Sequence, residues 1–516
     1  MRKFWGVFLT SWLLLSVLSA VWSLATPISG APDEPAHFVK AASVARGEFI
    51  GTPSEHGHTV SVPKYIAETH AATCFAFKPE LPADCANPIS FQSAEIVDAE
   101  TSAGLYNPIY YALVGWPTLF LSDTFALYAM RIVSGIVASS FLAICFAVIS
   151  TWARREIPIL GLAIACTPMV LFLNGVVNPS ALETSATLAA FVALLSIILH
   201  ADESLLRARL VILGISAACA VNVRGLSPLW VAIVLAVPLI LLSRVELAKL
   251  FRRGPVLWTI GGILAAVGLA VTWTLTTSSL SRGVTVTADP PPYPGVGASA
   301  FAGFTAILRE TFGYANGLVG QFGWLDTTAP AATLYTWAVL TGALLLTAVV
   351  LLRGRALIAF SLLVAALVLA PALVQGLYVT QGGFIWQGRY ALPLFVCVVI
   401  GAAAFVSPQV SWTSPTLRSR VTGTVLFVSA SAQFLTFAVV LQRYAVGTAG
   451  SVHAFYLAPQ WQPPGGVLII LLVYLVALIV SSVLVQRWLG PLDAHAPVRN
   501  RLYSSTAPTR RVTITR

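Results

Sequence analysis

The sequence predicts an all-α polytopic membrane protein, a bundle of about 12 transmembrane helices with one large extracytoplasmic loop after the first helix. Three observations carry this. Hydrophobic residues make up 57% of the 516-residue chain and charged residues only 10%, against ~25% charged in a soluble domain. Apolar stretches long enough to cross, or nearly cross, a ~30 Å hydrocarbon layer recur along the chain. The basic residues behind the net charge of +10 sit in short runs between those stretches, where they set orientation rather than bind nucleic acid.

The first apolar stretch, 4–25, follows Arg2 and Lys3. It is longer than the ~7–15-residue apolar core of a signal peptide and reads as a retained anchor. Eleven further stretches follow at 125–151, 157–177, 180–200, 208–222, 226–243, 256–277, 332–352, 356–376, 390–407, 421–442 and 466–487. The fifth and sixth of the twelve are short and separated only by Val223, Arg224 and Gly225, which suggests one broken hairpin. A further candidate, PIYYALVGWPTLFL at 108–121, is placed in the interface because its aromatics Tyr110, Tyr111 and Trp116 suit the headgroup level. With that placement, Arg154/Arg155, Arg207/Arg209, Arg244/Lys249/Arg252/Arg253, Arg353/Arg355, Arg418/Arg420 and the tail arginines join Arg2/Lys3 on one side. The positive-inside bias makes that side cytoplasmic, with both termini. The acids skew the other way, with only Glu156, Asp202, Glu203, Glu246 and Asp493 inside. The transmembrane domain therefore spans 1–488. Within it 26–124 forms a cap loop, too long for a simple connection. The segment 489–516 is a basic tail, rich in Ser, Thr and Pro, expected to be disordered.

Four of the six cysteines lie in apolar stretches, whereas Cys74 and Cys85 flank the polar segment CFAFKPELPADC of the cap loop. In an oxidising compartment that pair is expected to bridge. Chemistry concentrates in the same loop, in GAPDEPAHF at 30–38. Asp33 and Glu34 need not share one role, and Pro32 and Pro35 stiffen the backbone around them. Asp33 suits a helix N-cap as well as a general base, and both can hold at once.

In QGRYALP at 387–393, Arg389 stands at a membrane entrance. There it either snorkels to the headgroups or faces a carboxylate or an anionic ligand such as phosphate. The same alternatives apply to Arg224. Trp324 in GQFGWLD at 320–326 suits sugar stacking or interfacial anchoring. Glu183, one turn into an apolar stretch near Asn174 and Asn178, needs a partner, with Arg131 and Arg224 as the candidates. His56 and His58 lack flanking ligands at metal spacing. No phosphate-binding loop, dinucleotide fingerprint or serine-hydrolase elbow occurs.

The segments PDEPAHF (32–38), NPIYYAL (107–113), AMRIVSG (129–135), QFGWLD (321–326) and QGRYALP (387–393) together resemble the GT-C superfamily of membrane glycosyltransferases, most closely a bacterial branch described as a domain of unknown function. The resemblance implies a polyprenyl-phosphate-linked sugar as donor and a cell-envelope glycan, lipid or protein as acceptor, with membrane lipid around the site. It makes Asp33 the catalytic base with Glu34 in support. Arg389 first and Arg224 second would hold the leaving phosphate, and His37, Tyr390, Gln387, Trp324 and Asp326 would line the substrate site. Some members use a divalent metal, but no second acidic motif supports one here. Related sequences often carry an acid beside the asparagine after the third span, where this chain reads Asn178-Pro179-Ser180. Two other readings compete: a transporter or flippase of lipid-linked saccharides, and a non-catalytic scaffold on the same fold. Transporters usually repeat in two halves with broken helices at mid-membrane, whereas here the polar residues gather at one rim.

Overall fold

The computed structural model describes residues 2–55, 57–89, 95–280 and 294–489. His56, Asp493 and all of the tail but Leu489 lie outside the described residues. In chain order the helices are α1 (Arg2–Ala25), α2 (Glu34–Ala45), α3 (Lys64–Ala67), α4 (Pro108–Gly115), α5 (Asp123–Ser150), α6 (Glu156–Ala165), α7 (Pro168–Asn174), α8 (Pro179–Leu199), α9 (Leu206–Val221) and α10 (Ser227–Ala236). They continue with α11 (Arg244–Phe251), α12 (Gly254–Thr277), α13 (Ala300–Arg309), α14 (Thr311–Val319), α15 (Ala331–Leu351), α16 (Gly354–Gly382), α17 (Leu392–Val406), α18 (Pro415–Val446), α19 (Val452–Leu457) and α20 (Val467–Trp488).

Every one of the twelve apolar stretches is helical. Among the described residues nine helices are long and apolar enough to cross a membrane: α1, α5, α8, α12, α15, α16, the segment Gly388–Gln409 that contains α17, α18 and α20. The third stretch is a bent pair, α6 and α7, meeting at 64°. Pro168 explains the bend, because it drives Thr167 out of the helical region to φ −66°, ψ 164°. The freed groups are satisfied locally. The Thr167 hydroxyl accepts from the Val170 N–H and donates to the Leu318 carbonyl, and the Cys166 carbonyl accepts from the Gln433 amide. The fifth and sixth stretches are the short α9 and α10, the latter extended by a 3-10 turn over Val237–Leu241.

α8 and α17 are enclosed along almost their whole length, while α12 and α15 turn exposed Trp258, Leu264, Leu275, Val339 and Leu346 outward. A bundle built this way suits lipid as its solvent. Residues 26–122 fold over one end of it. There α2 lies buried from Glu34 to Val44, packed against the antiparallel sheet β1 (Thr52–Ser54), β2 (Gly57–Pro63) and β3 (Ile96–Thr101), and against α3 and α4. A disulfide joins Cys74 to Cys85.

The segment 108–121 is α4 followed by a 3-10 turn at Trp116–Leu119. Asn107 caps it by accepting the Ile109 N–H at 3.0 Å. Its aromatics divide differently from the interfacial expectation. Tyr110 and Tyr111 are wholly buried, and the exposed face carries Ile109, Leu113 and Trp116. Helical spacing sends 110, 111 and 114 inward together and 109, 113 and 116 outward.

α4 meets α2 backbone to backbone. A Cβ placed on Gly115 would sit 2.1 Å from the Ala41 carbonyl oxygen, so the two helices cannot keep this distance with any other residue there. Gly115→Ala is expected to cost about 1–3 kcal/mol in thermal unfolding of the purified protein. Gly261→Ala on α12, where a Cβ meets nothing within 4 Å, serves as the control and should be neutral or slightly stabilising. Equal stability of the two variants would show that the α2–α4 contact is not tight.

Candidate functional site

Four chain segments converge where the cap meets the bundle: the turn between α1 and α2, the residues before α4, the tip between α9 and α10, and the entry to α17. The turn after α1 is fixed first. Arg131 of α5 donates to Glu34 from Nε at 2.7 Å and from Nη2 at 2.5 Å. Its remaining N–H groups reach the carbonyls of Ser23 (2.9 Å), Thr26 (2.6 Å) and Pro27 (2.7 Å). These close the C-terminal end of α1, whose last carbonyls have no partner within the helix. Glu34 also accepts the Val177 N–H at 3.1 Å, ahead of α8.

Arg131 and Glu34 are both fully buried. Both oxygens of Glu34, expected to share or support the base role, are thus engaged by Arg131 and Val177. Of the two candidate partners of Glu183, Arg131 is thus taken by Glu34, and Glu183 faces Arg224.

With Glu34 anchored, Asp33 is held at φ 64°, a left-handed conformation costly for any residue but glycine. It occupies the N-cap position of α2, but its side chain caps nothing. Its half-exposed carboxylate instead accepts from Arg389 Nη2 at 3.0 Å. Arg389 is 2% exposed, and its Nε and Nη1 are buried without a hydrogen-bond partner, as is Oε1 of Gln387 two residues earlier. A snorkelling arginine would expose its head, so that alternative does not describe Arg389. Uncompensated buried donors of this kind are rare in native proteins and mark a place for a ligand or an ion.

Arg224 lies 4.5 Å from the Tyr390 ring centroid and Arg389 5.5 Å from it. Arg224 donates to Ser180 Oγ at 3.0 Å and stands 3.8 Å from Glu183, whose other oxygen accepts from Ser227. Beside these groups lies a cavity of about 500 Å³. Its polar lining includes Tyr106, Asn107, Glu183, Arg224 and Tyr390, and its apolar lining includes Trp230, Trp273, Leu377 and Trp386.

His37 stands behind this site. Its Nδ1 is 2.9 Å from the Tyr111 hydroxyl, and its ring lies 5.9 Å from that of Tyr106. Burial pushes its pKa down to about 3, Asp33 works against the shift, and Arg224 and Arg389 add to it. A neutral His37 brings no positive charge to the site. Burial likewise raises the Tyr106 hydroxyl above its ordinary pKa, with Arg224 working against the shift.

Asp326 and Trp324 both make bracing contacts. Asp326 pairs with the buried Arg443 at 3.0 Å. Trp324 donates its indole N–H to the Ser29 carbonyl at 2.9 Å. His58 is buried against Gly104, and among the described residues no three His, Cys, Asp or Glu side chains gather to hold a metal ion.

Arg131, Arg443 and Tyr106 were not among the expected site residues. The available signal was a charged residue inside an apolar stretch for Arg131 and directly after one for Arg443. Compared with known proteins, the chain matches the family model described as predicted membrane protein DUF2142 over residues 15–398. No curated protein matches it.

Glu34→Gln leaves Arg131 buried with its charge unanswered and is expected to cost about 3–5 kcal/mol in thermal unfolding. Asp33→Asn should cost less, because its half-exposed amide oxygen can still accept from Arg389 Nη2. Similar losses in the two variants would contradict this division of roles. Since His37 is neutral in the fold, the unfolded chain alone takes up its proton between pH 6.5 and about 3. Stability should therefore fall as pH drops through that window, by up to about 1.4 kcal/mol per pH unit. His37→Gln should flatten the slope of unfolding free energy against pH, and an unchanged slope would show that His37 does not contribute.

Proposed function

The chain belongs to the DUF2142 family of predicted membrane proteins, and on that premise we propose that it is a GT-C-type membrane glycosyltransferase. It moves a sugar from a polyprenyl-phosphate donor to a cell-envelope acceptor. The cap end of the bundle is the extracytoplasmic side of a bacterial plasma membrane, and both termini are cytoplasmic. The observation that carries the reading is the Asp33–Arg389 pair, one partner half-exposed and the other buried with two unpartnered nitrogens. It adjoins a large, mainly apolar cavity.

Each part of the reaction has a residue suited to it. The apolar lining accepts an isoprenoid chain. Arg389, with donors to spare, and Arg224, on the same tyrosine ring, hold the phosphate. Asp33 takes the proton of an acceptor hydroxyl as its oxygen attacks the anomeric carbon. The bond from that carbon to the phosphate oxygen breaks, and the electron pair leaves with the polyprenyl phosphate. Attack from the face opposite the leaving group inverts the anomeric centre. Developing charge on the phosphate is met by guanidinium groups already in position. No step calls on Glu34, His37 or Asp326.

The test is sugar transfer from a polyprenyl-phosphate donor by the purified protein in lipid nanodiscs. Asp33→Asn should lower the rate by about 10²–10⁴-fold with donor binding retained. Arg389→Lys should weaken donor binding and lower the rate by about 10²-fold. Undiminished transfer by Asp33→Asn would remove Asp33 as the base. Passage of a lipid-linked sugar across the bilayer without transfer would favour a flippase.

A further inference from the structure

Among the described residues six non-glycine residues have a positive φ: Ser29, Asp33, Phe77, Asp123, Ser278 and Leu325. Four of these lie in three segments that Trp324 links. Ser29 and Asp33 belong to the turn between α1 and α2. Phe77 lies in the loop closed by the Cys74–Cys85 disulfide. Leu325 lies in the tight connection between β4 (Gln321–Phe322) and β5 (Thr327–Thr328). Trp324 in that connection bonds the Ser29 carbonyl and meets the Phe77 ring at 5.6 Å between centroids, inclined at 60°. Left-handed side-chain-bearing residues persist only where their surroundings over-determine them, and they gather at ligand clamps and active sites.

The surroundings here over-determine the backbone and leave one ring uncovered. Arg443 donates to the carbonyls of Phe75, Lys78 and Leu81, and the Thr448 N–H reaches the Pro79 carbonyl. With the disulfide, these contacts hold the loop on both sides of Phe77. The Phe77 side chain nonetheless remains 70% exposed, so neither its backbone angle nor its burial accounts for its place.

We propose that Phe77 and Trp324 form a stacking platform for a saccharide ring, the acceptor whose hydroxyl reaches Asp33. The platform rests on the glycosyl-transfer reading only for the direction of the hydroxyl. A pyranose offers an apolar C–H face to an aromatic ring and hydroxyls at its rim. This junction offers the complement, two inclined rings tied through Ser29 to the turn that carries the half-exposed Asp33. An acyl or isoprenyl chain would instead be drawn to an enclosed apolar wall, such as that of the large cavity.

The experiment measures binding of an array of synthetic bacterial cell-envelope oligosaccharides to the full chain in nanodiscs, with binding of polyprenyl phosphate measured on the same preparations. The native protein should retain at least one oligosaccharide. Phe77→Ala and Trp324→Ala should weaken that binding at least tenfold, and Phe77→Trp should preserve it. Polyprenyl phosphate binding by Phe77→Ala should be unchanged, which, with an unchanged thermal midpoint, shows the fold intact. Retention of no oligosaccharide, or equal retention by Phe77→Ala, overturns the platform. So does a Phe77→Ala variant that loses affinity only for phosphatidylglycerol vesicles, which would assign the rings to the membrane. Native protein that binds saccharide through Phe77 but not polyprenyl phosphate would sink the transfer reading and leave the platform standing.

Discussion

The buried pair of Arg131 and Glu34 is the contact on which the rest of this end of the molecule depends. One guanidinium ties together the last carbonyls of α1, the turn that follows and the first residue of α2. Through Glu34 it also reaches the backbone ahead of α8. Removing two charges from water is expensive, and a buried pair gains little net stability over an apolar one of equal size. What it supplies is position. Each donor of Arg131 has one geometry in which it is satisfied, so the chain leaves α1 along one path, and that path brings Asp33 to Arg389.

Three arginines at this end are buried to nearly the same degree and are used differently. Arg131 spends every N–H on a carboxylate and backbone carbonyls. Arg443 does the same with Asp326, Thr327 and the carbonyls of the disulfide loop. Arg389 makes one bond, to a half-exposed carboxylate, and leaves Nε and Nη1 unanswered. Saturated arginines hold loops in place. The unsaturated one is the member of the set suited to an arriving anion.

The helices were legible in the sequence because lipid demands long apolar runs, and no run failed to become helix. Their lengths and breaks were less legible. Pro168 inside the third stretch was the visible sign of the bend between α6 and α7, but its effect depends on Thr167, Leu318 and Gln433 supplying partners from distant segments. Local spacing likewise could not decide which face of 108–121 turned inward, since Tyr110 and Tyr111 suit an interface and a core equally. In the site, Asp33, Arg224, Arg389 and Tyr390 stood out as polar or aromatic groups at the ends of apolar runs. Which carboxylate belonged to which arginine did not follow. Asp33 and Glu34 are neighbours in sequence, yet one pairs with Arg389, 356 positions away, and the other with Arg131, 97 away. Trp324 and Asp326 were visible as residues, but their service to Ser29 and Arg443 exists only in three dimensions.

The pairing of Asp33 with Arg389 has a consequence for the order of events on the proposed reading. The half-exposed Asp33 carboxylate takes one guanidinium N–H, whereas a phosphate can take two or more at once. An incoming lipid phosphate therefore competes successfully for Arg389, and as it does so the Asp33 carboxylate loses its partner. The base becomes free to accept a proton only when the leaving group is already held. In the absence of donor, the same two residues neutralise each other, so neither charge is left unpaired. The left-handed backbone at Asp33 is compatible with this exchange, since it is held by Glu34 and Arg131 and not by the contact that breaks.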